Sequence, residues 1–227
     1  MLKVFISGYG RMGHMVEQEL SARGIKCAGK SEDIASVDPA LAAGCVCIDF
    51  TTPAAFRSNY RTLAARFKAV VVGTTGWDDI KEEVLSCFRE NGTPLVYSSN
   101  FSLGVNVLEA AVALVSKYLG KAGGYSPYIV EKHHVHKLDA PSGTAKTLAA
   151  AVEAGMGAAP SVASVRVGEV PGIHTVGFEG LNDRITLEHE AFSRKGFAQG
   201  AVVAAMMTGE LEGTHEFKEL FFKEEGI

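Results

Sequence analysis

The sequence predicts an α/β protein in two parts, a parallel sheet with crossover helices followed by an α+β part built on a mixed sheet. Three observations predict it. Short apolar runs rich in β-branched residues alternate with helical stretches through residues 1–102, the pattern of a parallel sheet with right-handed crossovers. The first of those runs is followed at once by Gly8-Tyr9-Gly10-Arg11-Met12-Gly13. After Gly120-Lys121-Ala122-Gly123-Gly124 the pattern changes to successive strand-like runs with fewer helices between them.

Taken in order, Leu2 to Ser7 is the first strand and His14 to Leu20 the helix that follows. The glycine loop therefore stands in the context that G-x-G-x-x-G requires, strand before and helix after. Its glycines permit a tight turn and the close approach of a pyrophosphate to the helix N-terminus. This makes the first part a Rossmann-like dinucleotide domain. Gly8, Tyr9, Gly10, Arg11, Met12 and Gly13 are the candidate cofactor residues.

Ile25 to Ala28 is the second strand, where dinucleotide folds usually end on an acid that holds the adenosine ribose. Here Gly29-Lys30-Ser31 comes first, with Glu32 and Asp33 only later. An ammonium and a hydroxyl at that strand end could take a ribose 2′-phosphate, which leans the cofactor expectation towards NADPH. Lys30 as a solvated loop residue, with either NADH or NADPH bound, stays open.

Cys45 to Phe50 is the third strand, and Thr51-Thr52-Pro53 caps a helix running to about Phe67. Ala69 to Val72 is the fourth, ending in Gly73-Thr74-Thr75-Gly76, whose small residues suit the nicotinamide half. Asp78 to Asn91 is a helix closed by Gly92. Leu95 to Tyr97 is the fifth strand, ending in Ser98-Ser99-Asn100-Phe101-Ser102. Ligands collect at the carboxyl ends of such strands, so Gly73, Thr74, Thr75, Ser98, Ser99, Asn100, Phe101 and Lys30 join the glycine loop as cofactor candidates.

Val105 to Leu119 is a long apolar helix leaving the first part. Tyr128 to Val135, Val162 to Val167, Gly172 to Phe178 and Arg184 to His189 read as a largely antiparallel mixed sheet, with a helix near Thr144 to Ala154 on one face. The expected division is 1–102 for the dinucleotide domain and 103–204 for a substrate-binding and oligomerisation domain, with 205–227 returning to the first. A sheet face without a helix partner would be covered by another subunit, so a homo-oligomer, a tetramer, is expected.

The chain is 47% hydrophobic and 21% charged with net charge −4, an ordinary globular make-up. The acid excess and the lack of a dense basic face argue against nucleic acid as a partner. Nothing at the start resembles a signal peptide, and no uninterrupted apolar run approaches membrane-spanning length. The expectation is a cytoplasmic protein with no membrane partner. Cys27, Cys45, Cys47 and Cys87 show no metal or redox spacing.

The densest chemistry lies between Val130 and Leu148, which hold three of the seven histidines and three lysines. A strand ends there, Asp139-Ala140-Pro141-Ser142-Gly143 turns, and a helix begins at Thr144. Imidazoles and an ammonium beside a helix N-terminus suit an anionic substrate that must take up a proton. A metal site from His133, His134, His136 and Asp139 fits less well. Alternation along a strand turns His133 away from His134 and His136, and Lys137 adds positive charge.

The run Glu131-Lys132-His133-His134-Val135-His136-Lys137-Leu138-Asp139-Ala140-Pro141-Ser142-Gly143-Thr144 resembles the signature of the dihydrodipicolinate reductase family. So do the glycine loop, Gly73 to Gly76, Asn100-Phe101-Ser102, Arg166-Val167-Gly168, Pro171 to His174, and Ser193-Arg194 with Phe197-Ala198. The chain is short for that family, its glycine loop is one residue tighter than the commonest form, and Lys30 replaces the usual acid. The resemblance implies NAD(P)H-dependent reduction of 4-hydroxy-tetrahydrodipicolinate, a small cyclic dicarboxylate, in the lysine and diaminopimelate pathway. It implies His133 as proton donor, Lys137 as second catalytic group, and His134, Gly143 and Thr144 as substrate ligands, with no metal. With cofactor and acid in different domains, closure on binding is expected. Lys132, His136 and His174 stay open between site and structural roles. Glu131 is either an orienting partner or half of a surface salt bridge. A metal-dependent hydrolase would leave the nucleotide loops unexplained, and a redox-sensing regulator would need a DNA-reading element. A semialdehyde dehydrogenase would need a cysteine in the second part.

Overall fold

The computed structural model describes residues 1–222 and divides the chain into two compact units. One is Met1–Ser102 with the chain from Lys195 onward, and the other is Leu103–Arg194. Residues 223–227, part of the expected return to the first unit, lie outside the described residues.

In the first unit, β1 (Lys3–Ser7), β2 (Lys26–Ser31), β3 (Val46–Asp49), β4 (Ala69–Val72), β5 (Leu95–Tyr97) and β10 (Thr214–Glu216) form a six-stranded parallel sheet. Its order is β10-β5-β4-β3-β1-β2. β3 and β4 are buried at every residue, and β1 at all but its first. Near-continuous apolar runs are what a sheet covered on both faces requires. The connections carry α1 (Arg11–Ala22), α2 (Pro39–Ala43), α3 (Pro53–Arg66) and α4 (Lys81–Asn91). Thr52 caps α3 by accepting from the Ala55 amide with Pro53 in the first turn, and Gly92 closes α4 at φ +65°. Phe56, Leu63 and Phe88 from these helices are fully buried in one core with Val70 and Leu95. Each contributes about 1.5–3 kcal/mol by leaving water.

The strand order places a switch point between β1 and β3, because the chain goes from β1 outward to β2 and then back across to β3. The carboxyl ends of β1, β3, β4 and β5 therefore open on one crevice edge. β2 runs on through Lys30 and Ser31 instead of stopping at Ala28, since a bulge in its pairing with β1 lets Phe5 face Gly29.

α7 (Lys195–Met207) belongs to this first unit, so the boundary falls at Lys195 and not at the expected 205. The reason lies in its small residues. Gly200 passes so close to the main chain of Phe101 that a Cβ there would lie 1.7 Å from the carbonyl oxygen. β10 then pairs in parallel with β5, and α8 (Phe217–Phe221) follows.

The second unit holds α5 (Leu103–Ala122), β6 (Ser126–His133), α6 (Gly143–Met156), β7 (Ser161–Arg166), β8 (Ile173–Glu179) and β9 (Arg184–Glu190). The sheet order is β7-β6-β8-β9, parallel only between β6 and β7. α5 and α6 meet closely where glycines remove side chains, since a Cβ on Gly155 would lie 2.5 Å from that of Ser116. Together they cover Ile129, Val176 and Phe178 of the sheet with Leu108, Val112 and Leu148. By length and composition alone α5, with mean hydropathy 1.3, would pass as a membrane span. Its Leu108 and Val112 are buried in this core. β6 ends at His133, two residues earlier than the sequence suggests, where a turn closed by the Lys137 amide on the His134 carbonyl begins.

Candidate functional site

Each unit gathers candidate residues at its strand ends. In the first unit the glycine loop lies between β1 and α1. Gly8 has φ +83°, and a Cβ on Gly13 would lie 2.3 Å from the Gly8 carbonyl oxygen. Both positions therefore need glycine. Gly10 stands at the N-cap of α1 with no side-chain cap and no acid in the first turn, leaving a positive helix end for an anion. Arg11 is exposed beside it, and Met12 is half-buried. This cradle fits a dinucleotide pyrophosphate.

The other cofactor candidates divide by role. Thr74 is buried and its hydroxyl donates to Asp49 Oδ1 at 2.5 Å, while Thr75 next to it is exposed. Gly73 makes room for Phe50, whose ring would lie 2.0 Å from an added Cβ. Ser98 Oγ accepts from the Asn100 amide and Asn100 Oδ1 from the Ser102 amide, which shapes the loop after β5, and Ser99 in it is exposed. Phe101 is buried against Phe50 and Phe217, so its ring serves the core. Lys30 is held by Glu17, with Nζ 2.8 Å from Oε1.

Asp49, which the sequence did not single out, ties these loops together. It is fully buried at the end of β3 and accepts from Ser7 Oγ at 2.5 Å, Thr74 Oγ1 at 2.5 Å and Thr51 Oγ1 at 3.0 Å. Burial raises its pKa, and the three hydroxyls pull it partly back. Every partner donates, which suits a carboxylate.

In the second unit, strand register builds a polar row on the helix-covered face. Glu131 of β6 stands beside Ser164 of β7 and His174 of β8, and His174 beside His189 of β9. Two residues on from Glu131 and on the same face comes His133, at the end of the strand. Glu131 has no exposed surface. One carboxylate oxygen receives Arg166 Nη2 at 2.8 Å and the other contacts His133 Nδ1. Burial pushes the Glu131 carboxyl up, but hydrogen bonds from Arg166, Ser164 and His133 outweigh it and hold it at about 2. The surface salt bridge left open above is thereby excluded: Glu131 orients His133.

Burial lowers the pKa of His133, with Glu131 pulling it back up and Lys137 and Arg166 pushing down. With Nδ1 taken, Nε2 is the nitrogen left to carry a proton outward. Gly172 keeps that side open, since a Cβ there would come within 3.0 Å of Nε2. Arg166 also donates to the carbonyls of Lys137 and Asp139, at 3.3 and 2.5 Å, so it shapes the turn after β6. Lys137 pairs with Asp139 at 2.8 Å. His134 has a buried Nδ1 with no partner, and exposed His136 lies 3.3 Å from Glu169. Ser142 caps α6 by accepting from the Ala145 amide, and Gly143 and Thr144 form the first turn. The same hydroxyl lies 3.1 Å from Nε2 of His174, whose pKa burial lowers to about 4. His174 is thus a buried neutral imidazole at the back of the site. Donor atoms of Glu131, His133 and His174 lie within 4.8 Å of one another, a spacing an ion could use. Both Glu131 oxygens are already engaged by Arg166 and His133, and the neighbouring guanidinium opposes a cation.

Residues 2–101 match the family described as "Dihydrodipicolinate reductase, N-terminus", and 104–221 the one described as "Dihydrodipicolinate reductase, C-terminus". The chain belongs to the dihydrodipicolinate reductase family. It is 44% identical over 176 residues to a 4-hydroxy-tetrahydrodipicolinate reductase of Xanthomonas campestris pv. campestris (strain B100), covering 77% of this chain and 72% of that one. With the enzyme of that name from Stenotrophomonas maltophilia (strain K279a) it shares 42% over 187 residues, 82% of this chain and 76% of the relative. The fold matches a dipicolinate-bound dihydrodipicolinate reductase from Paenisporosarcina sp. TG-14 with TM-score 0.80 at 20% identity, over 95% and 97% of the two chains.

Sequence reasoning missed Asp49, and it named Arg166 and Ser142 only within motifs of the dihydrodipicolinate reductase family, without their partners. Asp49 carried a signal, an acid closing the apolar run CVCID. Arg166 becomes a partner of Glu131 only once β7 is known to lie beside β6.

Two outcomes follow from the buried carboxylates. Asp49→Asn turns an acceptor into a donor facing hydroxyls, and a loss of about 1–3 kcal/mol in denaturant unfolding is expected; an unchanged midpoint would remove Asp49 from its organising role. Glu131 raises the His133 pKa, so Glu131→Gln is expected to move the His133 titration, followed by imidazole NMR, to lower pH. A titration that stayed in place or moved up would refute the pairing.

Proposed function

We propose that this chain catalyses the NAD(P)H-dependent reduction of 4-hydroxy-tetrahydrodipicolinate to tetrahydrodipicolinate, in lysine and diaminopimelate biosynthesis. As a member of its family it is an NAD(P)H-dependent oxidoreductase. The observation that carries the residue-level reading is the buried Glu131–His133 pair at the end of β6, beside Lys137 and the N-terminus of α6.

When bound, the nicotinamide supplies the hydride. Gly8, Gly10 and Gly13 with the α1 N-terminus hold its pyrophosphate, and the loops 73–76 and 98–101 frame the nicotinamide half. Lys30 and Ser31 lean the reading towards NADPH, with NADH also used. Once the 4-hydroxyl has left as water and hydride has added to the conjugated imine so formed, His133 of the second unit, oriented by Glu131, gives a proton from Nε2 to the electron-rich ring carbon. Its pKa is lowered in the free protein, so it is neutral above that value. A dianionic substrate raises its proton affinity and loads the imidazole at the moment it is needed. Lys137 leaves Asp139 to pair with a substrate carboxylate, and His134 and the Gly143–Thr144 turn hold the other. That dipicolinate, an aromatic dicarboxylate of the same outline, is bound to the Paenisporosarcina protein supports such a site.

The face of the second sheet away from α5 and α6, with Tyr128, Val130, Val165 and Thr175 half-buried or exposed, is proposed as the contact of a homo-oligomer, a tetramer. Four free cysteines accord with a reducing compartment, and the cytoplasm is the proposed location.

NADPH and NADH oxidation, with substrate made in situ from pyruvate and aspartate semialdehyde by the upstream synthase, tests the reaction. Wild type is expected to turn over. His133→Gln should lose about 10²–10⁴-fold in kcat, and Lys137→Ala should lose turnover while keeping nucleotide affinity. Absence of turnover with either nucleotide, despite binding, would refute the reductase reading. Light scattering should give four chain masses, and Val165→Glu should lower that number; a monomeric wild type would refute the assembly.

A further inference from the structure

We infer that Glu17, in the second turn of α1, sets how strongly the first unit discriminates between NADPH and NADH. The inference rests on the dinucleotide reading of that unit and adds to it a residue outside the glycine loop and the strand ends.

A dinucleotide fold reads the adenosine ribose at the end of its second strand, usually with an acid that accepts from the ribose hydroxyls. In this chain β2 ends at Ser31, with Lys30 one residue before that end and the exposed Glu32 directly after it. An unopposed ammonium there would attract a 2′-phosphate as a point charge. Lys30 is not unopposed. Its Nζ lies 2.8 and 3.0 Å from the two carboxylate oxygens of Glu17 and 2.8 Å from the hydroxyl of Tyr9. It also sits 3.9 Å from the centroid of the Tyr9 ring. The Tyr9 hydroxyl donates to Glu17 in turn, and the His14 ring packs at a tilt against the Tyr9 ring, 4.0 Å between centroids. The second residue of the glycine loop, the end of β2 and the first turns of α1 are thus joined through one carboxylate.

Helix α1 therefore places a carboxylate directly on Lys30, where Glu32 and Asp33 follow only after the strand has ended. The Glu17 carboxylate can accept from ribose hydroxyls, as the strand-end acid does elsewhere. Its charge also neutralises Lys30 and opposes a phosphate that carries nearly two negative charges. Lys30 and Glu17 together present no net charge, which blunts discrimination in either direction. Removing the charge of Glu17 alone unmasks Lys30 for the phosphate. Because both side chains are partly exposed, at 41% and 35%, the effect is screened by salt.

The test is calorimetric titration of the full chain with NADPH and with NADH, for wild type, Glu17→Gln, Lys30→Ala and the double variant. Glu17→Gln is expected to raise the ratio of NADPH to NADH affinity about tenfold at low ionic strength, the scale of one charge-assisted contact, and less at high salt. Lys30→Ala should lower the ratio, and the double variant should show no gain over Lys30→Ala. An unchanged ratio in Glu17→Gln, or the same gain with Lys30 absent, would overturn the role of Glu17 while leaving dinucleotide binding intact. A wild type that bound neither nucleotide would overturn the dinucleotide reading and this inference with it.

Discussion

An ionised carboxylate removed from water must be compensated where it sits, because an uncompensated one costs several kcal/mol. Glu131 meets that constraint with one guanidinium and one imidazole, and much of the second unit's functional end follows from it. Arg166 must lie on the strand beside β6, which requires β7 to run parallel to it in the observed register. The same guanidinium reaches the carbonyls of Lys137 and Asp139, so the turn carrying the second catalytic candidate is fixed by the group that balances the first. His133 is held by the same charge balance: its Nδ1 is engaged by Glu131, which leaves Nε2 for proton transfer.

Asp49 answers the same constraint differently. Among the described residues no cation reaches it; hydroxyls from the ends of β1 and β4 and from the turn after β3 surround it instead. Burial is the larger influence on Asp49 and raises its carboxyl, whereas the hydrogen bonds from Arg166, Ser164 and His133 drive Glu131 down. The contrast suits two tasks. The hydroxyl cage around Asp49 ties three loops to one acceptor. A guanidinium–carboxylate–imidazole chain fixes a side chain and also tunes its proton affinity.

The parts of this protein legible in the sequence are those that depend on near neighbours. The glycine loop, the Thr52-Pro53 cap, the Gly92 stop and the Ser142 turn into α6 are local chemistry and stand where the sequence puts them. The signature around His133 was legible for the same reason. What was hidden depends on pairing between distant segments. Arg166 and Glu131 are 35 residues apart, Asp49 and Thr74 are 25 apart, and neither pair shows itself until the sheet order is known. Lys30 looked like a free cation because Glu17 lies in the preceding helix, facing it only after the β1–α1–β2 unit has closed. α7 was divided between domains because a run of small apolar residues does not say which surface it packs on.

The order of the first sheet has a consequence for synthesis. β10 pairs beside β5, yet it leaves the ribosome only after all of the second unit has been made. α7, which covers β3 and β4, is equally late. Until then, five parallel strands wait with one edge open and part of one face bare, a state prone to wrong partners. The second unit, being continuous in sequence, can complete its own core meanwhile. The segment made first becomes whole last.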